Sequence, residues 1–165
     1  MRLPSIPQVP VAYPSTLPLL QRAAKSRTQP AAFSMADPRR GPGFAQATGT
    51  DTPVFWDAQF KFSADQAIAF QLWFTQQVAR GVDWFTMPIR TEFGLQTFLC
   101  RFLADGLGDA TEEGGVWTYP VKLMTRKQLI PQGFIDAQDL ILGLPNWRAW
   151  AEFLDRTVNE ALPEA

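Results

Sequence analysis

Val54-Phe55-Trp56-Asp57-Ala58-Gln59-Phe60-Lys61-Phe62-Ser63-Ala64-Asp65-Gln66 changes period in mid-stretch, and the change decides the fold. Val54, Trp56, Ala58, Phe60 and Phe62 recur every second residue, as a half-buried strand requires. Ser63 then offers a hydroxyl to the free N–H groups of a helix start. Gln66, three residues on, reaches back to the Ser63 N–H and completes a capping box, with Phe62 placed to staple onto Ala67. The spacing predicts a helix over 64–80 that buries Ala67, Phe70, Phe74 and Val78 along one stripe, with Trp73 at its margin. Gly81 supplies the left-handed residue that ends it. A second strand, Trp84 to Ile89, begins at once, and Pro88 marks it as an edge or a bulge.

Working outward toward the C-terminus, Arg90 to Gly94 reads as a turn and Gln96 to Leu103 as a third strand. That strand is apolar on both faces, so it is expected to be fully buried or covered by a partner subunit. A loop rich in Asp, Glu and Gly covers 105–115. Val116 to Thr125 is the fourth strand, with Pro120 again suggesting an edge. The fold class expected is mainly β with α: a β-sandwich or small barrel with one inserted helix. After residue 130 the pattern turns helical. A short helix over Asp136 to Leu142 ends at Gly143. A longer one follows from Trp147 to Leu162, capped by Asn146, with Trp147, Trp150, Leu154 and Val158 on one stripe.

Residues 1–50 differ in kind. They hold most of the 14 prolines, and Arg2, Arg22, Lys25, Arg27, Arg39 and Arg40 stand against Asp37 alone. The arm therefore carries +5 and residues 51–165 carry −6, for a total of −1. Prolines exclude this segment from a sheet interior and from a long helix. Three parts result: an extended arm over 1–50, a body over 51–130 and a helical extension over 131–165. The arm's composition reads either as a disordered tail or as a segment whose apolar residues and charge suit docking on the acidic surface of another copy.

Composition removes several function classes. The chain has no histidine, which excludes Ser-His-Asp and Cys-His catalysis, histidine zinc sites and imidazole switching. Its one cysteine, Cys100, lies in an apolar run and reads as a buried structural thiol. No run reaches the length of a membrane span, and prolines break up the stretch where a signal peptide would lie. The near-neutral charge argues against nucleic acid as a partner. Asp105, Asp109, Glu112 and Glu113 cluster in one loop without EF-hand spacing, and read as a solvated hairpin tip. Arg39-Arg40 is a candidate anion site, read more readily as turn salt bridges. Trp84-Phe85 and Trp117 are candidate sugar platforms, read more readily as packing. No catalytic residue, metal or cofactor is expected. The candidate interface residues are Arg39, Arg40, Phe44, Trp84, Phe85, Trp147 and Trp150.

Three local patterns give the chain a family likeness. The first is Phe55-Trp56 through Phe62, then Ala69-Phe70-Gln71-Leu72-Trp73-Phe74. The second is Gly81-Val82-Asp83-Trp84-Phe85-Thr86-Met87-Pro88. The third is Arg101-Phe102, then Gly114-Gly115, then Trp117 to Leu123. In this order the chain resembles phage tail-tip proteins of the lambda minor tail protein M type and the distal tail proteins related to them. Arg40-Gly41-Pro42-Gly43-Phe44-Ala45-Gln46 stands where many members have an Arg and then Phe-Gly-Asp-Gly-Tyr, and it lacks the Asp. The resemblance implies a non-enzymatic virion protein, made in the host bacterial cytoplasm. It would be a subunit of a closed ring, commonly sixfold, joining tail tube to hub or fibre components. A receptor- or carbohydrate-binding tail module and a head–tail connector or tail-completion protein are the other expectations.

Overall fold

The computed structural model describes residues 10–161, in two units that divide after residue 129 and are taken one at a time. Leu3, Ile6, Val9 and Leu162 lie outside the described residues, as do the side chains of Asp105 and Val158. The strands of the first unit are β1 (Val11–Ala12), β2 (Ser26–Thr28), β3 (Phe33–Ala36), β4 (Phe44–Ala47), β5 (Val54–Phe62), β6 (Phe85–Thr91), β7 (Gly94–Leu107), β8 (Thr111–Glu113) and β9 (Val116–Thr125). Helix α1 (Ala64–Leu72) lies between β5 and β6. The fold is mostly β, with a mixed sheet and a few helices.

Seven strands form the main sheet in the order β1-β6-β7-β9-β5-β2, with β8 on β9. β1 runs parallel to β6, and the other pairs are antiparallel. β5 alternates as its sequence predicts: Val54, Trp56, Ala58, Phe60 and Phe62 are buried, while Asp57 and Lys61 are exposed. Its partner β9 buries Tyr119, Val121, Leu123 and Thr125 on the same face. β7 adds Phe98, Cys100 and Phe102. The opposite face of β7 is not fully buried within the chain, since Leu95 is exposed and Leu99 and Leu103 are half-buried. Pro88 sits in β6 beyond the end of β1, so that side of the strand is an edge as expected.

Pro120 corrects the sequence reading, because β9 is an interior strand. Opposite it the β7 register shifts between Phe102 and Leu107, and the Pro120 carbonyl accepts from Gly108 N–H at 2.8 Å. A bulge in the partner strand relieves the proline of a ladder donor it does not have. Gly106 makes the bulge sterically possible: a Cβ there would lie 2.6 Å from the Leu103 carbonyl oxygen and 2.9 Å from that of Lys122.

The capping box forms. Ser63 N–H donates to Gln66 Oε1 at 3.0 Å, and Gln66 N–H points at Ser63 Oγ at 3.5 Å. The helix does not stay α-helical to residue 80. A π-helical turn spans Trp73–Gln77, with Val78 N–H donating to the Trp73 carbonyl at 3.2 Å. A short 3₁₀ turn (Ala79–Gly81) follows, with positive φ at all three residues. The extra residue of the π turn rotates the stripe. Trp73, expected at the margin, is buried beside Phe70 and Phe74 is half-buried, while the five-residue step sets the buried Val78 beneath Trp73.

The largest correction concerns the N-terminal segment. The sequence places residues 1–50 in an arm outside the body, whereas residues 11–28 belong to it. Tyr13, Leu17 and Leu20 are buried in the core. The Tyr13 ring stacks on Phe60 at 5.6 Å and meets Trp73 edge-on at 5.3 Å. Tyr13 N–H donates to the Thr86 carbonyl of β6, and Gln21 N–H donates to the Gln59 carbonyl of β5. Residues 13–25 thus cross from one edge of the sheet to the other. Arg27, beside β5, is bidentate with Glu92 at 2.8 Å and lies over the Trp56 ring at 5.5 Å. Lys25 donates to the Arg90 carbonyl. Glu92 and Arg90 lie at the β6–β7 turn, far from β5 in strand order, so the sheet is curled. Prolines are no obstacle here, because two- and three-residue edge strands use few ladder bonds.

In the second unit, α2 (Gln132–Asp136), α3 (Gln138–Gly143) and α4 (Trp147–Ala161) follow one another. The helix expected over Asp136–Leu142 is thus two, separated at Ala137. Phe134 meets the Trp147 ring edge-on at 6.1 Å.

Candidate functional site

Phe33-Ser34-Met35-Ala36 pairs with Phe44-Ala45-Gln46-Ala47 in a two-stranded sheet that joins no other strand among the described residues. The register sets Phe33 opposite Ala47 and Met35 opposite Ala45, so these four share one face. Ser34, Ala36, Gln46 and Phe44 share the other. Phe33, Met35 and Phe44 are 51%, 67% and 57% exposed. Thr48 N–H donates to the Ala32 carbonyl at 2.8 Å and closes the base of the hairpin. Arg39 and Arg40 occupy its tip and are exposed. A lone hairpin is marginal in water, because it has too little apolar surface to bury.

A second feature lies beside α1. Ile68 and Leu72, 61% and 59% exposed, stand on its outer side. Together with Ala64, Ala67, Trp117, Tyr119 and Glu112 they line an apolar groove of about 570 Å³. Gln71 Nε2 donates to Tyr119 Oη at 3.4 Å in its wall. Glu112 pairs with Trp117 across β8 and β9, which brings the acidic loop to the rim. Glu113 and Asp109 nearby are exposed.

The candidate residues are therefore dispersed. Arg39, Arg40 and Phe44 share the hairpin. Trp84 is half-buried, with the Arg101 guanidinium 5.9 Å from its ring centroid. Phe85 is not a surface residue: it is fully buried against Trp73 at 5.0 Å and Phe102 at 5.1 Å, because β6 turns it toward the core. Trp147 is half-buried and Trp150 exposed on α4, where Trp150 meets Phe153 edge-on at 6.3 Å. Sequence reasoning counts Phe33 among the apolar residues of a docking arm but misses Met35 and the hairpin that exposes both. Their alternation with Ser34 and Ala36 is the signal that would have found them.

Two side chains that could act as nucleophiles, Cys100 and Tyr13, are buried. Burial pushes the Cys100 thiol up to about 12, so it keeps its proton at neutral pH. Burial also raises the Tyr13 hydroxyl, which donates to the Pro18 carbonyl at 2.6 Å. Among the described residues no cluster of three or more His, Cys, Asp or Glu side chains is placed to hold a metal ion. No helix among them is long and apolar enough to cross a membrane. Comparison with family models, curated proteins and solved structures finds no match to this chain.

Proposed function

We propose that the chain is a structural virion protein, a subunit of a homo-oligomeric ring at a phage tail tip or baseplate, joining tail tube to hub or fibre components. One observation carries the assembly part of this reading: a hairpin that leaves Phe33, Met35 and Phe44 in solvent. An unpartnered pair of strands with large apolar side chains on both faces, Phe33 and Met35 on one and Phe44 on the other, supports a role in assembly. The tail-tip part rests on the order of the aromatic patterns from Phe55-Trp56 to Trp117. In this reading the curled sheet is a small barrel closed by residues 13–25 and forms the ring wall. The hairpin over 33–47 and the helices after residue 130 are its assembly arms.

Two measurements test it. Mass photometry and electron microscopy of the purified chain are expected to show closed rings, sixfold by the resemblance, in a concentration-dependent equilibrium. A strict monomer at the highest soluble concentration would overturn the ring. A tagged chain is expected at the tail end of the phage particle, and a particle that lacks it overturns the tail-tip assignment. A glycan-binding reading has one observation of its own, the Trp117 and Tyr119 rings lining the groove beside Glu112. Quenching of tryptophan fluorescence by host glycans would favour it, and a flat titration retires it.

A further inference from the structure

Two exposed surfaces of one chain carry opposite charges, and no hairpin residue is among those lining the groove. The hairpin presents Phe33 and Met35 on one face and Arg39 and Arg40 at its tip. The groove beside α1 presents Ile68, Leu72 and Trp117, with Glu112 at the rim. Asp109 and Glu113 flank that rim in the sequence, and Asp65 is exposed in the first turn of α1. A groove of about 570 Å³ falls within the range of ligand pockets, large enough for a few apolar side chains. Within a single chain both surfaces stay open.

We propose that the hairpin of one copy docks in the α1–β9 groove of the next, its apolar face on Ile68, Leu72 and Trp117 and its arginines against Glu112 and Glu113. The proposal rests on the ring-forming reading above and supplies the contact that makes the ring. A second copy is the occupant because each chain carries one donor and one acceptor of opposite charge. Such a contact is heterologous, so it propagates until rotation closes it. Burying the hairpin face also removes the exposure that leaves an isolated hairpin marginal. The charged tip sets register and encounter rate, while the apolar face supplies most of the affinity.

The test uses the full chain. Arg39→Glu with Arg40→Glu, and separately Glu112→Arg with Glu113→Arg, change exposed residues, so far-UV circular dichroism and melting should stay as in the parent. Each pair is expected to raise the dissociation constant of the oligomer by roughly tenfold or more, and combining the two pairs in one chain should restore most of the loss. Met35→Cys and Ile68→Cys, made in separate chains and mixed under mild oxidation, should give a disulfide-linked dimer. Cys100 is buried and does not confuse the result. Rings that persist through both reversals, with no Met35–Ile68 cross-link, would overturn hairpin docking and leave the ring reading intact. Absence of any oligomer in the parent would overturn both. A Met35–Ile68 link formed within one chain carrying both cysteines would show that the hairpin closes on its own groove, and would also overturn the proposal.

Discussion

At the scale of single residues, Gly106 is the position with least freedom to change. A methyl group there meets backbone oxygens at 2.6 Å and 2.9 Å, and backbone does not swing aside as a side chain does. Gly106→Ala is expected to destabilise by about 2 kcal/mol or more, read as a lower urea midpoint with an unchanged slope. A midpoint matching the parent's would show that the bulge is free to relax. Two buried acids set an alkaline limit. The unfolded chain releases the Cys100 and Tyr13 protons near their ordinary values of 9.0 and 10.0, and the folded chain holds both to higher pH. Above pH 9 the unfolded state thus binds fewer protons, and stability falls as pH rises. Each group contributes a slope of at most about 1.4 kcal/mol per pH unit. Lys25 works the other way just below 10.5, its ammonium disfavoured by burial and by Arg90, Arg22 and Arg27. Melting temperature measured from pH 8 to 11 should decline, and Cys100→Ala should flatten the early part. The same slope in the variant would mean that the thiol is not the group responsible.

At the scale of elements, what was legible in the sequence and what was not divide on physical grounds. The strand at 54–62 and its cap were legible because period-two burial and the Ser63–Gln66 pair are local signals. The π turn was not, since its extra residue shows only in where Trp73 and Val78 end up. Pro120 in an interior strand was hidden as well, because its tolerance depends on a bulge in β7, a strand paired from far along the chain. The role of residues 11–28 depends on Tyr13 meeting Phe60 and Trp73, a tertiary fact that proline content masks. The groove was beyond reach for the same reason, being shared by α1 and β9. A contrast between two deletions follows. Replacing 33–47 by a short Gly-Ser linker spans a gap already closed by Thr48 and Ala32, so the body should melt within a few degrees of the parent. Removing residues 1–28 strips Tyr13, Leu17 and Leu20 from the core and should leave no cooperative transition by calorimetry. Equal melting of the two would place the segment outside the core after all.

At the scale of the whole molecule, the first unit packs most of its large rings on the concave side of one curled sheet. Phe60, Phe62, Phe70 and Phe85 are almost without exposure. Each fully buried ring contributes roughly 1.5–3 kcal/mol relative to exposure, so the body is expected to hold its shape as a free subunit. Assembly should then add thermal stability that depends on concentration, because only the oligomer is favoured by mass action. Scanning calorimetry over a hundredfold dilution is expected to show the melting temperature falling with dilution in the parent, and far less in the linker variant. A parent midpoint that ignores dilution would argue that the surfaces left open in one chain are not energetically coupled to a second.

The course of residues 13–25 across the curled sheet also bears on how the chain is made. Val11 and Ala12 are made more than seventy residues ahead of the strand they join, which begins at Phe85. Ser26 to Thr28 must likewise wait for Asp57 to Phe55. Seating residues 11–28 is therefore a late event in a fold about half of whose contacts are non-local, and non-local contacts slow folding. Until then Phe60 and Trp73 lack the tyrosine that covers them, and the nascent chain carries a sticky seam. Residues 11–28 are translated before the strands that flank them and are sealed after those strands.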